Sequence, residues 1–280
     1  MIALRNLTFS YSPKKTIFQN LTLTLSPGTL YGLLGKNGAG KSSLLRLIGG
    51  MLFPQAGQLQ VAGFEPAQRQ AAFLQMIYLI PEEIYLPGVS LQRYINTLAP
   101  FYPYFNQGQF HHYLTDFEVP QDQKLTALSY GQKKKLVISF ALATNTPILL
   151  MDEPTNGLDI PSKRQFRKLI ASAIAPDRLI LISTHQVKDL DNLIDAVIVV
   201  DESEILLNHS LAQIAQRLRF DNVSALEEAD CLLYAEPSLR GQAVVLENPT
   251  QADSKVDLER LFNTVLANRE RIKALFHPSR

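Results

Sequence analysis

Cysteine is almost missing from this chain: Cys231 is the single thiol in 280 residues. One thiol excludes an intrachain disulfide and any multi-cysteine metal site, and it fits a reducing compartment. Net charge is missing as well, because 27 Lys+Arg stand against 26 Asp+Glu and leave +1. No global field is available to gather nucleic acid or an anionic membrane, so any phosphate chemistry has to be local. Long apolar runs are also absent. Residues 148–151 and 196–200 are strand-sized, far below the roughly 20 residues that cross a bilayer as a helix. The opening Met-Ile-Ala-Leu-Arg-Asn runs into alternating residues without the charged, apolar and small-residue regions of a secretion signal, so none is expected. What is present is ordinary globular usage, 46% hydrophobic and 19% charged, which excludes disordered, collagen-like and coiled-coil chains. The length suits one large domain with an appendage.

Periodicity gives the order of elements. Leu21, Leu23 and Leu25 alternate with Thr22, Thr24 and Ser26 before a break at Pro27-Gly28, the pattern of hairpin-linked strands. Residues 30–34 form a short apolar run into a glycine-rich loop, after which Leu44, Leu45, Leu47 and Ile48 recur at helical spacing. From 81 to about 125 the composition turns aromatic, with Pro87, Pro100 and Pro103 breaking any long helix; a small helical insert is expected. Residues 133–143 read as a helix, 148–151 and 179–183 as buried strands, and 162–175 as the helix between them, an alternation that implies a parallel sheet. Past 201 the pattern weakens into candidate strands at 231–235 and 243–247 and a final amphipathic helix over 257–276, with Ser254 as its candidate cap. The expected architecture is α/β: a core with a mostly parallel sheet, an N-terminal antiparallel segment, a helical insert over about 82–130 and a small C-terminal α/β extension. The expected division is 1–210 and 211–280.

Gly35-Lys36-Asn37-Gly38-Ala39-Gly40-Lys41-Ser42 satisfies the P-loop pattern between a predicted strand and a predicted helix, so the expected α/β core is a P-loop NTPase core. Backbone N–H groups can wrap a triphosphate only where side chains do not block them, and the following helix adds its positive end. Lys41 is then expected to reach the β- and γ-phosphates, Ser42 to hold Mg²⁺, and Ser43 to line the same site. The apolar strand at 148–151 ends in Asp152-Glu153, at the carboxyl edge of a parallel sheet where ligands bind. Asp152 reads as a Mg²⁺ holder, and Glu153 as the carboxylate that polarises an attacking water. Lys133, Lys134 and Lys135 read as a solvated basic face rather than a nucleic-acid site, since no wider basic patch surrounds them.

Leu128-Ser129-Tyr130-Gly131-Gln132 lies about twenty residues before Asp152-Glu153 and resembles the signature motif of ATP-binding cassette (ABC) ATPases. The resemblance covers roughly residues 1–210. It implies that Tyr11 stacks on adenine, that Gly157-Leu158-Asp159 is the loop crossing a dimer interface, and that His185 is the switch histidine at the γ-phosphate. It also implies a head-to-tail pair of cassettes, in which Ser129, the Gly131 N–H and Gln132 meet the nucleotide held by the partner's P-loop. Two residues depart from the family pattern. Glu82 follows Ile80-Pro81 where a glutamine is usual; it can ligate Mg²⁺ or order water, but it adds a negative charge beside Asp152 and Glu153. Tyr130 replaces the signature's first glycine, which predicts altered packing at the dimer interface.

The resemblance therefore implies the ATP-hydrolysing, nucleotide-binding subunit of a membrane transporter, with ATP and Mg²⁺ as cofactors. Its implied partners are integral membrane subunits, docked on the groove between the core and the aromatic insert, and a second cassette, most simply a second copy. The expected place is peripheral, on the cytoplasmic face of a membrane. Glu82 and the tail segment Leu258-Glu-Arg-Leu-Phe262 look more like exporter than importer cassettes. The competing class is a soluble ABC ATPase acting on ribosomes or DNA; a single cassette, neutral charge and no heptads weigh against it.

Overall fold

The computed structural model describes residues 2–224, 231–239 and 241–276. Residue 1 of the first expected unit, and 225–230, 240 and 277–280 of the second, lie outside these. In chain order the elements are β1 Ile2–Ser12, β2 Lys15–Leu25, β3 Leu30–Leu34, α1 Lys41–Ile48, β4 Ala56–Val61, α2 Ala71–Met76, β5 Ile77–Ile80, α3 Leu91–Leu98, α4 Gln107–Asp116, α5 Tyr130–Ala143 and β6 Ile148–Asp152. Then follow α6 Ile160–Ser172, β7 Leu179–Thr184, β8 Ala196–Asp201, β9 Glu204–Ser210, α7 Leu211–Arg217, β10 Leu218–Val223, β11 Leu232–Ser238, β12 Gly241–Glu247, α8 Leu258–Ala267 and α9 Arg269–Phe276.

The central sheet has the order β5-β6-β7-β3-β8-β9. Its first five strands are parallel and β9 closes one edge antiparallel to β8. Side chains of a strand alternate between faces, and this sheet is covered on both. Leu30 and Leu34 of β3 belong to one buried cluster with Leu149, Met151, Ile180 and Ile182, whereas Tyr31 and Leu33 belong to the opposite one with Ile148, Leu150, Leu179 and Leu181. That is why the strands read as continuous apolar runs. The antiparallel sheet β2-β1-β4 and helix α1 fill the second cluster.

The first cluster takes the insert. Phe140 of α5 is fully buried and its ring lies 5.3 Å from Tyr94, 4.9 Å from Phe105 and 5.7 Å from Phe110. Such a site makes Phe→Ala cost about 3–5 kcal/mol, so most insert aromatics are core, as their density in the sequence suggests. Tyr85, Phe101 and Tyr104 stay exposed.

The mixed α/β architecture with a mostly parallel central sheet agrees with the sequence expectation. The C-terminal residues add a third sheet, β10-β12-β11, and α8 and α9. Their buried residues, among them Leu218, Val245, Leu261 and Phe276, are continuous with the first cluster. The expected single last helix is two, broken at Asn268, whose side chain turns away to donate to the Leu233 carbonyl at 2.7 Å. Its cap is Asp257, which accepts from the Arg260 N–H, and not Ser254, which instead accepts from the Phe220 N–H at 2.8 Å. A carboxylate placed directly before the first helical residue wins over a hydroxyl three positions earlier.

Candidate nucleotide site at the carboxyl edge of the sheet

The loop 35–40 leaves β3 and enters α1 with two left-handed glycines, Gly38 at φ 83° and Gly40 at φ 102°. A Cβ on Gly40 would sit 2.7 Å from the Phe18 ring, while one on Gly38 would meet nothing within 4 Å. Gly40 is thus held to glycine by packing and conformation, Gly38 by conformation alone. No side chain caps α1, so its first N–H groups are open to an anion at the positive end of the helix. Lys41 is buried and folds back over the loop, donating to the Gly35 carbonyl at 2.8 Å and the Lys36 carbonyl at 3.2 Å. Burial lowers its pKa, against the opposing pull of Glu153, Asp152 and Glu82. Beside the loop lies a cleft of ≈ 300 Å³ lined by Thr16, Ile17, Lys36, Asn37, Gly38 and Ala39 among others.

Tyr11, near the end of β1, is half exposed; its hydroxyl is 3.0 Å from the Ser43 Oγ and its ring stands edge-on to Phe9. An open ring face beside the glycine loop can take a flat heterocycle. Ser43 is buried at the start of α1 and Ser42 is partly exposed.

Asp152 ends β6 and accepts from the Ser183 hydroxyl of β7 at 2.5 Å. Glu153 follows at φ 46°, an uncommon conformation for glutamate, and is almost fully buried. Its Oε1 accepts from the His185 backbone N–H at 2.9 Å and lies 2.8 Å from the His185 Nδ1, while the Thr184 hydroxyl donates to Oε2 at 3.2 Å. The parallel pairing of β6 with β7, which sets Asp152 opposite Ser183, is what brings Glu153 and His185 together.

Ser129 is the N-cap of α5. Its Oγ accepts from the Gln132 N–H at 3.3 Å, and Gln132 Oε1 accepts from the Ser129 N–H at 2.9 Å, a reciprocal capping box. Gly131 follows without a side chain, and a Cβ there would come no nearer than 3.4 Å to the Gly157 carbonyl. Asp159 caps α6 by accepting from the Ser162 N–H at 2.9 Å, and Ser162's hydrogen bonds hold its carboxyl below the usual range. Ser129, Gln132 and Asp159 make these bonds within their own turns, and none reaches the glycine loop. Glu82 lies in the turn after β5 with its carbonyl, rather than its carboxylate, in the hydrogen-bond network.

Residues 18–156, which hold the glycine loop, the capped α5 and Asp152-Glu153, match the family model for ABC transporters. The chain carries an ABC transporter ATP-binding domain. Its relatives include the ABC transporter ATP-binding protein YtrB of Bacillus subtilis, 27% identical over 206 residues, 73% of this chain and 70% of that one. Another is the Nod factor export ATP-binding protein I of Neorhizobium galegae, 30% identical over 220 residues, 73% of this chain but 60% of that longer one. Among solved structures, an ATP-binding subunit of an ABC transporter superposes with TM-score 0.69 at 22% identity, covering 76% of this chain and 91% of that one. A dimeric ATP-binding cassette in a post-hydrolysis state, bound to ADP and phosphate, gives TM-score 0.66 at 20% identity over 75% of this chain and 99% of that one. At those identities the structures establish the cassette fold.

One reading of this ABC domain needs correction. Lys134 is not part of a solvated basic face: it is fully buried, and its ammonium donates to the carbonyls of Glu153 at 2.7 Å and Glu82 at 3.1 Å. Three consecutive lysines look like a surface, but only two of them face outward on a helix that is buried nearly all round. The signal was present in the spacing, because Val137, Ile138 and Ala141 lie three, four and seven residues on, which puts Lys134 on an apolar face. Ser183 and Thr184 were also missed as site residues. Their signal is two hydroxyls in a row at the end of an apolar strand, aimed at the two acidic side chains beside them.

Proposed function

We propose that this chain hydrolyses ATP to ADP and phosphate as the nucleotide-binding subunit of an ABC transporter of the exporting kind, working as a pair of copies docked to membrane subunits. The reading is carried by the Glu153–His185 pair, joined at 2.8 Å at the carboxyl edge of the sheet, with Lys41 close enough to feel the glutamate's charge. The open N–H groups of loop 35–40 bind phosphate oxygens, Lys41 leaves its carbonyl partners for the β- and γ-phosphates, and Tyr11 stacks on the base. Glu153 orients the attacking water. Its Oε1 is fixed by His185, so the more weakly bonded Oε2 is the atom that takes the water's proton. His185 then senses the γ-phosphate.

Ser42 and Asp152 supply hard oxygen donors, with Glu82 nearby. The described residues contain no group of three or more His, Cys, Asp or Glu able to cage a metal. This donor set fits Mg²⁺, which takes few protein ligands and draws the rest from phosphates and water. Bound there, Mg²⁺ supplies positive charge to the β- and γ-oxygens. Ser129 and the Gly131 N–H, at the start of α5, serve the nucleotide of a second copy, together with Gln132 and Asp159.

Among the described residues no helix is long and apolar enough to cross a membrane. A groove of ≈ 550 Å³ between core and insert, lined by Met51, Leu74, Leu79, Leu98, Phe101 and Tyr102 among others, supports docking of separate membrane subunits on the cytoplasmic face. The transporter names of the relatives support the same role, and the Nod factor relative is named for export.

Phosphate release and equilibrium ATP binding, measured on the wild type and Glu153→Gln, test the chemistry. Turnover should fall by about 10²–10⁴-fold while binding stays; an unchanged rate removes Glu153 from the role. Gentle detergent extraction of native membranes holding a tagged chain tests the partner. A multi-span protein recovered in fixed ratio is expected, whereas enrichment of ribosomal proteins or nucleic acid would point to the soluble ABC ATPase class.

A further inference from the structure

A buried ammonium is costly unless acceptors meet it and charges of opposite sign stand near. Lys134 has both. It is fully buried, its Nζ is shared between the Glu153 carbonyl at 2.7 Å and the Glu82 carbonyl at 3.1 Å, and the Tyr130 ring centroid lies 5.8 Å away. Burial pulls its pKa down, while Glu82, Glu153 and Asp152 pull it up. A methionine would fill the same space without that cost, so packing does not explain the choice of residue.

The two carbonyls belong to turns that matter. Glu153 sits at φ 46°; its N–H donates to the Ser183 carbonyl at 3.1 Å, and its own carbonyl also accepts from the Asn156 N–H at 3.2 Å. The direction of its carboxylate therefore depends on what holds that strained peptide. Glu82 is the residue at which the chain leaves β5 for the insert. Tyr130 doubles the tie: its hydroxyl donates to the same Glu82 carbonyl at 3.2 Å, and its ring packs so closely on Gly157 that a Cβ there would come within 2.7 Å. The residue that breaks the signature pattern and the lysine one turn later thus close on the same two loops.

We propose that Lys134 is a positioning residue: by holding the Glu153 and Glu82 carbonyls together it aligns the water-orienting carboxylate with the insert entrance and with the helix that starts at Ser129. This rests on the reading of Glu153 as the residue that activates water. Steady-state phosphate release from Mg²⁺-ATP is measured on the full chain for the wild type, Lys134→Met, Lys134→Gln and the surface control Lys133→Gln, with hydrogen exchange read on each. Lys134→Met should lower kcat by about 10–100-fold, the scale of a small misplacement of a reacting group, with KM for ATP within about twofold. Lys134→Gln, which keeps N–H donors, should fall between it and the wild type, and it carries the test if the methionine variant does not fold. Exchange should rise together in residues 82–84 and 153–157 and not in β3. A folded variant with unchanged kcat, an equal rise in KM, or unchanged exchange in those two segments overturns the proposal. If the wild type itself releases no phosphate, it is the hydrolytic reading that fails; the exchange result still decides whether Lys134 joins the two turns.

Discussion

Two helices of this chain offer their N-termini to nucleotide in the proposed assembly, and they are finished in opposite ways. α1 begins after a left-handed Gly40 with no side-chain cap, whereas α5 begins in a complete capping box between Ser129 and Gln132. The first N–H groups of any helix lack intrahelical partners. At α1 they are left to a ligand, in a loop whose glycines keep side chains out of the way. At α5 the capping box ties up the Ser129 and Gln132 N–H groups within the single chain. The first half-site is thus preorganised for an anion, while the second has to exchange a capping bond for a stronger, charged acceptor. That asymmetry suits a site whose halves come from two copies.

The largest effect that can break this comparison is at Lys41. Lys41→Ala should weaken ATP binding by about 1.5–3 kcal/mol, the worth of hydrogen bonds to a charged group, in a titration of the isolated chain with a fluorescent ATP analogue. The second half-site is probed by Ser129→Ala. It removes a cap worth about 1 kcal/mol, visible as a lower urea midpoint, and it should slow turnover while leaving ATP affinity of the isolated chain unchanged. An affinity loss as large as that of Lys41→Ala would mean both helix ends serve the same nucleotide in one copy. Gly38→Ala sharpens the first half, since a Cβ there is free of contacts but the φ of 83° is not. The expected cost is about 1–2 kcal/mol of stability, with a small loss of affinity. The smallest effect belongs to Arg269→Ala in α9, which ties Asp201 and Glu202 of the β8–β9 turn. It should cost about 1 kcal/mol or less, fade with salt, and leave nucleotide binding unaltered.

How much was legible depends on whether a position is fixed by local conformation or by what packs on it. Gly38 and Gly40 take left-handed φ values that local conformation alone demands, so the loop is legible as a motif, although Gly40 is also held by the Phe18 ring and Gly35 by the Val200 carbonyl. Asp152 and Glu153 were placed by the strand before them. Lys134 was misread because it stands among three consecutive lysines; the apolar spacing of α5 marked its face as buried, but the carbonyls of two distant turns that accept from its ammonium leave no trace in the local pattern. The broken C-terminal helix was missed for the same reason: the Asn268 side chain is drawn off by the Leu233 carbonyl, 35 residues away in sequence. Tyr130 was legible as a departure from the signature but not as a brace, because its partners, Glu82 and Gly157, lie 48 and 27 residues away in sequence.

The most direct test of a site shared between copies mixes two crippled chains. Lys41→Ala lacks the phosphate lysine and keeps an intact α5 start; Ser129→Ala keeps the lysine and lacks the cap hydroxyl. Each alone should release phosphate slowly. Mixed at equal concentration they should regain turnover, because one of the two composite sites in a mixed pair has an intact Lys41 facing an intact Ser129. Mixtures no faster than the average of the separate variants, with the wild type active under the same conditions, would contradict the account.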